Sequence, residues 1–294
     1  MAELVAAFAM SHYPQLTHIP EFVEPDFWDE LHAGFDRVRA ELVEKQVDTL
    51  VFFANDHFLA ISPNFYPTFG ITTMEEGVGP VEGYIGMDRN SRHLSFDGAL
   101  GEWLLRAAVR DGFDITRMGN VPLEHSLLTI ANKLMPDMNV SVLWVFQNCM
   151  LHPIPSLGRC HELGKTIGRA IRDWKEPRRV AIIGTGGLSH WLGTLDTFVD
   201  GRDCSPLDRR LLGMLCENNG AIAAVTDEEI SEGGNGIGEV RNWTAAAGAA
   251  GGPGEVLVYG QERTDCGVGI MRFEVSASGA SSRMQSMQQH RKSV

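Results

Sequence analysis

Between Asp26 and Gln46 the apolar residues Phe27, Leu31, Phe35, Val38 and Leu42 recur at three- and four-residue intervals, which predicts a helix with one apolar stripe. The run "VDTLVFFAND" that follows is short, β-branched and aromatic, and reads as a buried strand. The alternation then repeats. Leu100, Trp103, Leu104 and Ala107 stripe a second helix, Leu127 to Leu134 offers a short third, and "VSVLWVFQN" (Val140 to Asn148) is another strand. Leu157, Cys160, Leu163, Ile167 and Ile171 mark a helix that leads into the strand "RVAIIGT". Helical pieces follow from Leu207 to Cys216 and after Asn235, and "GEVLVYG" and "GVGIMRFEV" read as closing strands. With "ELVAAFAM" as the first strand, this order predicts an α/β fold: one domain, a central mostly parallel or mixed sheet, and helices on both faces in a three-layer sandwich.

No internal repeat is visible, and no linker divides the chain. "MEEGVGPVEGY" (Met74 to Tyr84) is rich in glycine and acid and reads as a loop near the site or a surface excursion. The stretch from Ser276, "SASGASSRMQSMQQHRKSV", has little apolar content and is expected to be disordered, which leaves residues 1–275 as the domain and 276–294 as a tail.

Charge and cysteine usage narrow the function classes. The 25 Lys plus Arg against 38 Asp plus Glu give a formal charge of −13, which repels phosphate backbones and anionic membrane surfaces, so no nucleic-acid or membrane partner is expected. Cys149, Cys160, Cys204, Cys216 and Cys266 are odd in number, widely spaced and free of any C-x-x-C pair, and read as reduced cysteines of a cytoplasmic protein. The apolar run Leu4 to Met10 has Glu3 before it and no basic leader; it is too short for a signal peptide or a membrane span.

The polar residues that matter sit where the strands stop. "ELVAAFAM" ends in Ser11-His12, the second strand in Asn55-Asp56-His57, and "VAIIGTGGLSHW" delivers His190 after three glycines. Two familiar motifs fail in that last stretch. A dinucleotide fingerprint needs glycine where Ser189 stands, and a nucleophile elbow needs glycine where Trp191 stands. A histidine after a strand is most often an ordinary loop or core residue. In open α/β sheets, however, ligands bind beyond the carboxyl ends of the strands, and three histidines at three such ends form a set.

A divalent ion held by imidazoles calls for a carboxylate, and two histidines with one carboxylate is the facial arrangement of non-haem Fe(II) sites. The best candidate is Glu239 in "GGNGIGEVRNW", where glycines let the backbone approach closely before a helix carrying Val240, Trp243 and Ala247; Glu228, Glu229 and Glu232 compete. The bland reading of Glu239 is a helix-dipole partner. His18, His32, His93, His161 and His290 are expected on the surface, and His152 follows a strand without further signal.

"SHYP", "NDHF", "LEHS" around His125, "GTGGLSH" and a late segment ending in "GEVRNW" occur in this order from roughly Val5 to Gly252. Together they resemble the type III extradiol ring-cleavage dioxygenases, the family of the protocatechuate 4,5-dioxygenase β subunit and of 2,3-dihydroxyphenylpropionate dioxygenase. The resemblance implies Fe(II) on His12, His57 and Glu239, with His190, and in some members His125, as acid/base groups outside the ligand set. It also implies a small aromatic diol (protocatechuate, gallate, aminophenol or hydroxypyridone type) as substrate, O2 as co-substrate with both atoms incorporated, and a role in aromatic catabolism. A homo-oligomer or a separate small α-type subunit is expected on the same ground. Two rival readings use the same residues: a zinc-type metallohydrolase, although no H-E-x-x-H pair is present, and a catalytically silent binding or partner subunit on the same fold.

Overall fold

Four strands of nearly unbroken apolar sequence form the middle of the sheet: β1 (Glu3–Met10), β2 (Thr49–Ala54), β7 (Ser141–Gln147) and β8 (Arg179–Thr185). They run parallel in the order β7-β2-β8-β1, and strands buried on both faces need such continuous apolar runs. The computed structural model describes residues 1–13, 25–82, 92–135, 140–191, 205–218, 220–261 and 266–276. The sheet is completed by β3 (Phe69–Thr72) and β6 (Thr116–Met118) beyond β7, and by β10 (Gly267–Val275) and β9 (Gly251–Gln261) beyond β1. Its full order is β6-β3-β7-β2-β8-β1-β10-β9. Because β3 meets β7, and β10 meets both β1 and β9, in antiparallel fashion, the sheet is mixed.

Alternate side chains build two cores. Ala7, Ala9, Val51, Phe53, Leu143, Val145 and Ile182 face α2 (Gly98–Arg110), α4 (Leu157–Asp173), α5 (Ser205–Glu217) and α7 (Val240–Ala250). Phe8, Met10, Leu50, Phe52, Trp144, Phe146 and Ile183 face α1 (Pro25–Glu44) and α3 (His125–Leu134). Period two along each strand thus gives one domain in three layers. All of α7 is buried, between α4 and the sheet. Such close packing depends on small residues: a Cβ on Gly164 would lie 2.0 Å from the Ala245 carbonyl oxygen, and one on Gly168 would lie 2.4 Å from that of Ala249.

Several expectations need correction. Part of Met74–Glu82 is strand and not loop, since Glu76–Gly79 forms β4, paired with β5 (Arg92–Ser95), while Glu82 beyond it is buried beside the site and not on a surface excursion. His161 is not on the surface; it sits in α4 with its backbone oxygen 2.3 Å from where a Cβ of Gly248 would be. His93 is exposed beside Glu76, and His32 is half-buried between the Trp28 carbonyl and Lys133. α3 starts two residues before the apolar stripe, at His125, because the Glu124 side chain caps it by accepting the Ser126 N–H. His18, His290, Cys204 and the tail from residue 277 lie outside the described residues; Cys149, Cys160 and Cys216 are free thiols. Among the described residues no helix is long and apolar enough to cross a membrane.

Candidate active site

The carboxyl ends of β1, β2 and β8 each release a short polar segment, and α7 arrives opposite them. His12 follows β1, Asn55 and His57 follow β2, and Thr185 ends β8. Glu239 ends a short 3-10 turn, Ile237–Glu239, that leads directly into α7. It is 1% exposed, whereas Glu228, Glu229 and Glu232 are on the surface and Glu229 is taken up by Arg210. Of the four candidate carboxylates, only that of Glu239 is brought to the histidines.

Both histidines converge on one oxygen. Nε2 of His57 lies 3.0 Å and Nε2 of His12 3.3 Å from Glu239 Oε1, and His190 Nε2 lies 3.8 Å from Oε2. The carboxylate is fixed by two further donors, Asn55 Nδ2 to Oε1 at 2.9 Å and the backbone N–H of Gly187 to Oε2 at 2.7 Å. Each imidazole is also held from behind. His12 Nδ1 is 3.2 Å from the Thr185 hydroxyl, and His57 Nδ1 donates to Glu124 at 3.1 Å. Outer contacts of this kind set ring orientation and tautomer in metal sites.

His125, the first residue of α3, joins the same cluster. Its ring stacks on His57 at 4.1 Å between centroids and meets His12 edge-on at 5.5 Å. Ligand atoms of His12, His57 and His125 all lie within 4.8 Å of one another, as do those of Glu82, Glu124 and His125. His190 stands apart on its own turn, with Nδ1 donating to the Leu188 carbonyl at 2.9 Å. The turn is anchored by buried Asp208, which accepts both the N–H and the hydroxyl of Ser189. His152 is exposed and outside this group.

The electrostatics follow from burial and pairing. Burial opposes charge on Glu239, but His12, His57 and His190 outweigh it and hold the carboxyl well below the usual range. For His12 burial prevails over the pull of Glu239, so its pKa is lowered. For His57 burial is overcome by Glu124 and Glu239, and the pKa is pushed up to about 10. His125 is likewise raised against burial, chiefly by Glu124.

The glycines before His190 serve a purpose that the sequence left open. The space left by Gly184 and Gly186 belongs to the α7 segment. A Cβ on Gly184 would lie 2.6 Å from the Asn242 carbonyl oxygen, and one on Gly186 (φ +102°) would lie 2.6 Å from Glu239 Oε2. A polar network then ties α7 to the sheet. Asn242 Nδ2 donates to Asn55 Oδ1 and to the Thr185 carbonyl, Gln147 Nε2 donates to Asn242 Oδ1, and Trp243 Nε1 donates to the Gly186 carbonyl.

Sequence reasoning missed Asn55, Glu82, Glu124, Thr185, Asp208 and Asn242. Asn55 and Glu124 stood beside singled-out histidines, and Glu124 had a helix-cap position as a signal. Asp208 and Glu82 had none, because their neighbours are remote in the chain.

Two imidazoles and a carboxylate on one buried point, each oriented by a neighbour, suit a divalent metal with open coordination positions. The fold and site together define an α/β protein with a metal-competent centre at the carboxyl ends of its parallel strands. A family model described as the catalytic LigB subunit of aromatic ring-opening dioxygenase matches residues 6–267, and the chain belongs to that family. Among its relatives, a 2,3-dihydroxyphenylpropionate/2,3-dihydroxicinnamic acid 1,2-dioxygenase of Rhodococcus sp is 27% identical over 190 residues, 63% of this chain and 56% of that protein. Enzymes of the same description match from Pseudomonas putida, 27% over 182 residues (62% and 55%), and Klebsiella pneumoniae subsp. pneumoniae, 28% over 180 residues (60% and 55%). The matches span just over half the length of these relatives. A crystal structure of an uncharacterized protein from Escherichia coli K12 shares the fold, with TM-score 0.61 and 12% identity over 91% of this chain and 99% of that one.

Proposed function

We propose that the chain is an Fe(II)-dependent extradiol dioxygenase that opens the ring of a small catechol-like aromatic with O2, incorporating both oxygen atoms, in aromatic catabolism. The observation that carries this reading is the convergence of His12 and His57 Nε2 on Glu239 Oε1. These three residues would hold the iron, which supplies a meeting point for diol and dioxygen and the electron transfer between them. The protein's own part is orientation and proton movement. Asn55 and the Gly187 N–H keep Glu239 turned inward, while Thr185 and Glu124 set the His12 and His57 rings. His190 has its Nδ1 committed to the Leu188 carbonyl, which leaves Nε2 to take a proton from the diol or return one as the ring opens. His125, on the other side of the cluster, is a second group of this kind.

The names of the relatives support a catechol-type substrate, and the family match favours oxidative chemistry over zinc hydrolysis on the same donors. Metal analysis after anaerobic purification, followed by O2 uptake with a panel of catechols, aminophenols and hydroxypyridones, tests the reading. Iron together with diol-dependent uptake is the expected result. Zinc without uptake would point to hydrolysis, and neither metal nor uptake to a silent relative.

A further inference from the structure

Glu82 is buried, and its Oε1 accepts two hydrogen bonds from one residue: the backbone N–H of His125 at 2.7 Å and the ring Nδ1 of His125 at 2.7 Å. The other oxygen, Oε2, is buried without a hydrogen-bond partner. Glu124 is placed differently. Its Oε1 accepts the Ser126 N–H at 3.0 Å, so its Oε2 alone meets two histidines, His57 Nδ1 at 3.1 Å and His125 Nδ1 at 2.9 Å. His125 Nδ1 lies closer to Glu82 Oε1 (2.7 Å) than to Glu124 Oε2 (2.9 Å), and Glu124 Oε2 is already hydrogen-bonded to His57 Nδ1.

We infer that Glu82 is a positioning residue for His125. It takes the Nδ1–H and the first backbone N–H of α3 on one oxygen, which locks the ring against its own backbone. Glu124 is then left to orient His57. Nε2 makes no hydrogen bond to a described residue and is the nitrogen that His125 presents to a bound molecule. The role needs an acceptor at the Oε1 position and makes no use of the lone Oε2. A glutamine, whose amide oxygen can replace Oε1 and whose NH2 can occupy the Oε2 position, should therefore substitute. This inference rests on the proposed reading of His125 as a proton-transfer group.

The test uses the full-length, iron-loaded protein and the diol that wild type consumes. Glu82→Gln is expected to keep kcat within about threefold of wild type, whereas Glu82→Leu lowers it about 10- to 100-fold, with iron content and diol KM unchanged. Glu82→Asp, one methylene shorter, withdraws the acceptor and should fall on the same side as Glu82→Leu, which keeps the test open if the leucine variant does not fold. Wild-type kcat in Glu82→Leu or, should that variant not fold, in Glu82→Asp overturns the proposal. So does a loss in Glu82→Gln as deep as that of the loss variant measured, or a loss confined to KM and iron content. Nitrogen-15 NMR of the His125 ring in metal-free protein gives an independent reading: Nδ1 should carry the proton in wild type and Glu82→Gln, and its signal should shift in Glu82→Asp. An unchanged signal in Glu82→Asp contradicts the inference even if no diol is ever consumed, so its failure is distinct from that of the proposed function.

Discussion

Glu239 and Gly186 fit each other with nothing to spare: the Gly186 backbone takes φ +102°, and a Cβ added to it would lie 2.6 Å from Glu239 Oε2 and 2.8 Å from Glu239 Cβ. The absent side chain is therefore a condition for the carboxylate to reach His12 and His57. Gly186→Ala combines a left-handed backbone that L-residues resist with a clash against α7, and is expected to lose most of its bound iron. Metal content of the purified variant checks this, and near-stoichiometric iron would show that the α7 terminus can retreat without losing the site.

If His12, His57 and Glu239 hold the metal, then His12→Ala, His57→Ala and Glu239→Ala should each strip iron from a protein that still shows its normal circular dichroism. Glu232→Ala, on the surface, should retain it. Full iron occupancy in Glu239→Ala would refute the carboxylate assignment.

His190 should behave differently, since it stands 3.8 Å from Glu239 on a separate turn with its Nδ1 already bonded. Loss of general acid/base help typically slows a reaction by about 10²–10⁴-fold without removing the metal. His190→Phe is expected to keep iron and bind diol while turning over in that reduced range, and His125→Phe to show a milder form. Steady-state O2 uptake with parallel metal analysis separates the two roles, and an iron-free His190→Phe would make it a ligand instead.

The Asn242 amide supports the site from below. Replacing it by leucine leaves Asn55 Oδ1 without its Asn242 donor and Gln147 without its Asn242 acceptor. A stranded buried group costs about 1–3 kcal/mol, and Gln147 Nε2 keeps only its 3.3 Å bond to the Arg241 carbonyl, so Asn242→Leu should lose about 1–4 kcal/mol of stability in urea denaturation. Asn55, no longer braced, should also hold Glu239 less firmly, which predicts weaker iron binding in the variant.

What could be read from the chain divides along physical lines. α1, α4, β2, β7 and β8 were legible because burial on one helical stripe or on both sheet faces leaves an unmistakable apolar pattern. β3, β5 and β6 were not, since three or four residues such as Thr116–Met118 carry no periodicity of their own. The histidines at strand ends, His12, His57 and His190, were visible as a set, and the structure brings all three around Glu239, with His190 Nε2 the farthest at 3.8 Å. Glu82 was not singled out: it lies 43 positions from His125 in a stretch that reads as a loop near the site or a surface excursion, and only the tertiary fold joins the two residues. The purpose of Gly184 and Gly186 was equally hidden, because it is set by Asn242 and Glu239 more than fifty residues later.

The central claim, that this centre opens an aromatic ring with dioxygen, is tested most directly by mass spectrometry of the product formed under ¹⁸O₂ by the iron-loaded protein and a catechol-type substrate. The account predicts a ring-opened product with label in the new carboxylate and in the carbonyl, allowing for exchange of the carbonyl oxygen with water. A ring-opened product free of label, or no consumption of O2 with any diol by protein that holds its iron, would contradict it.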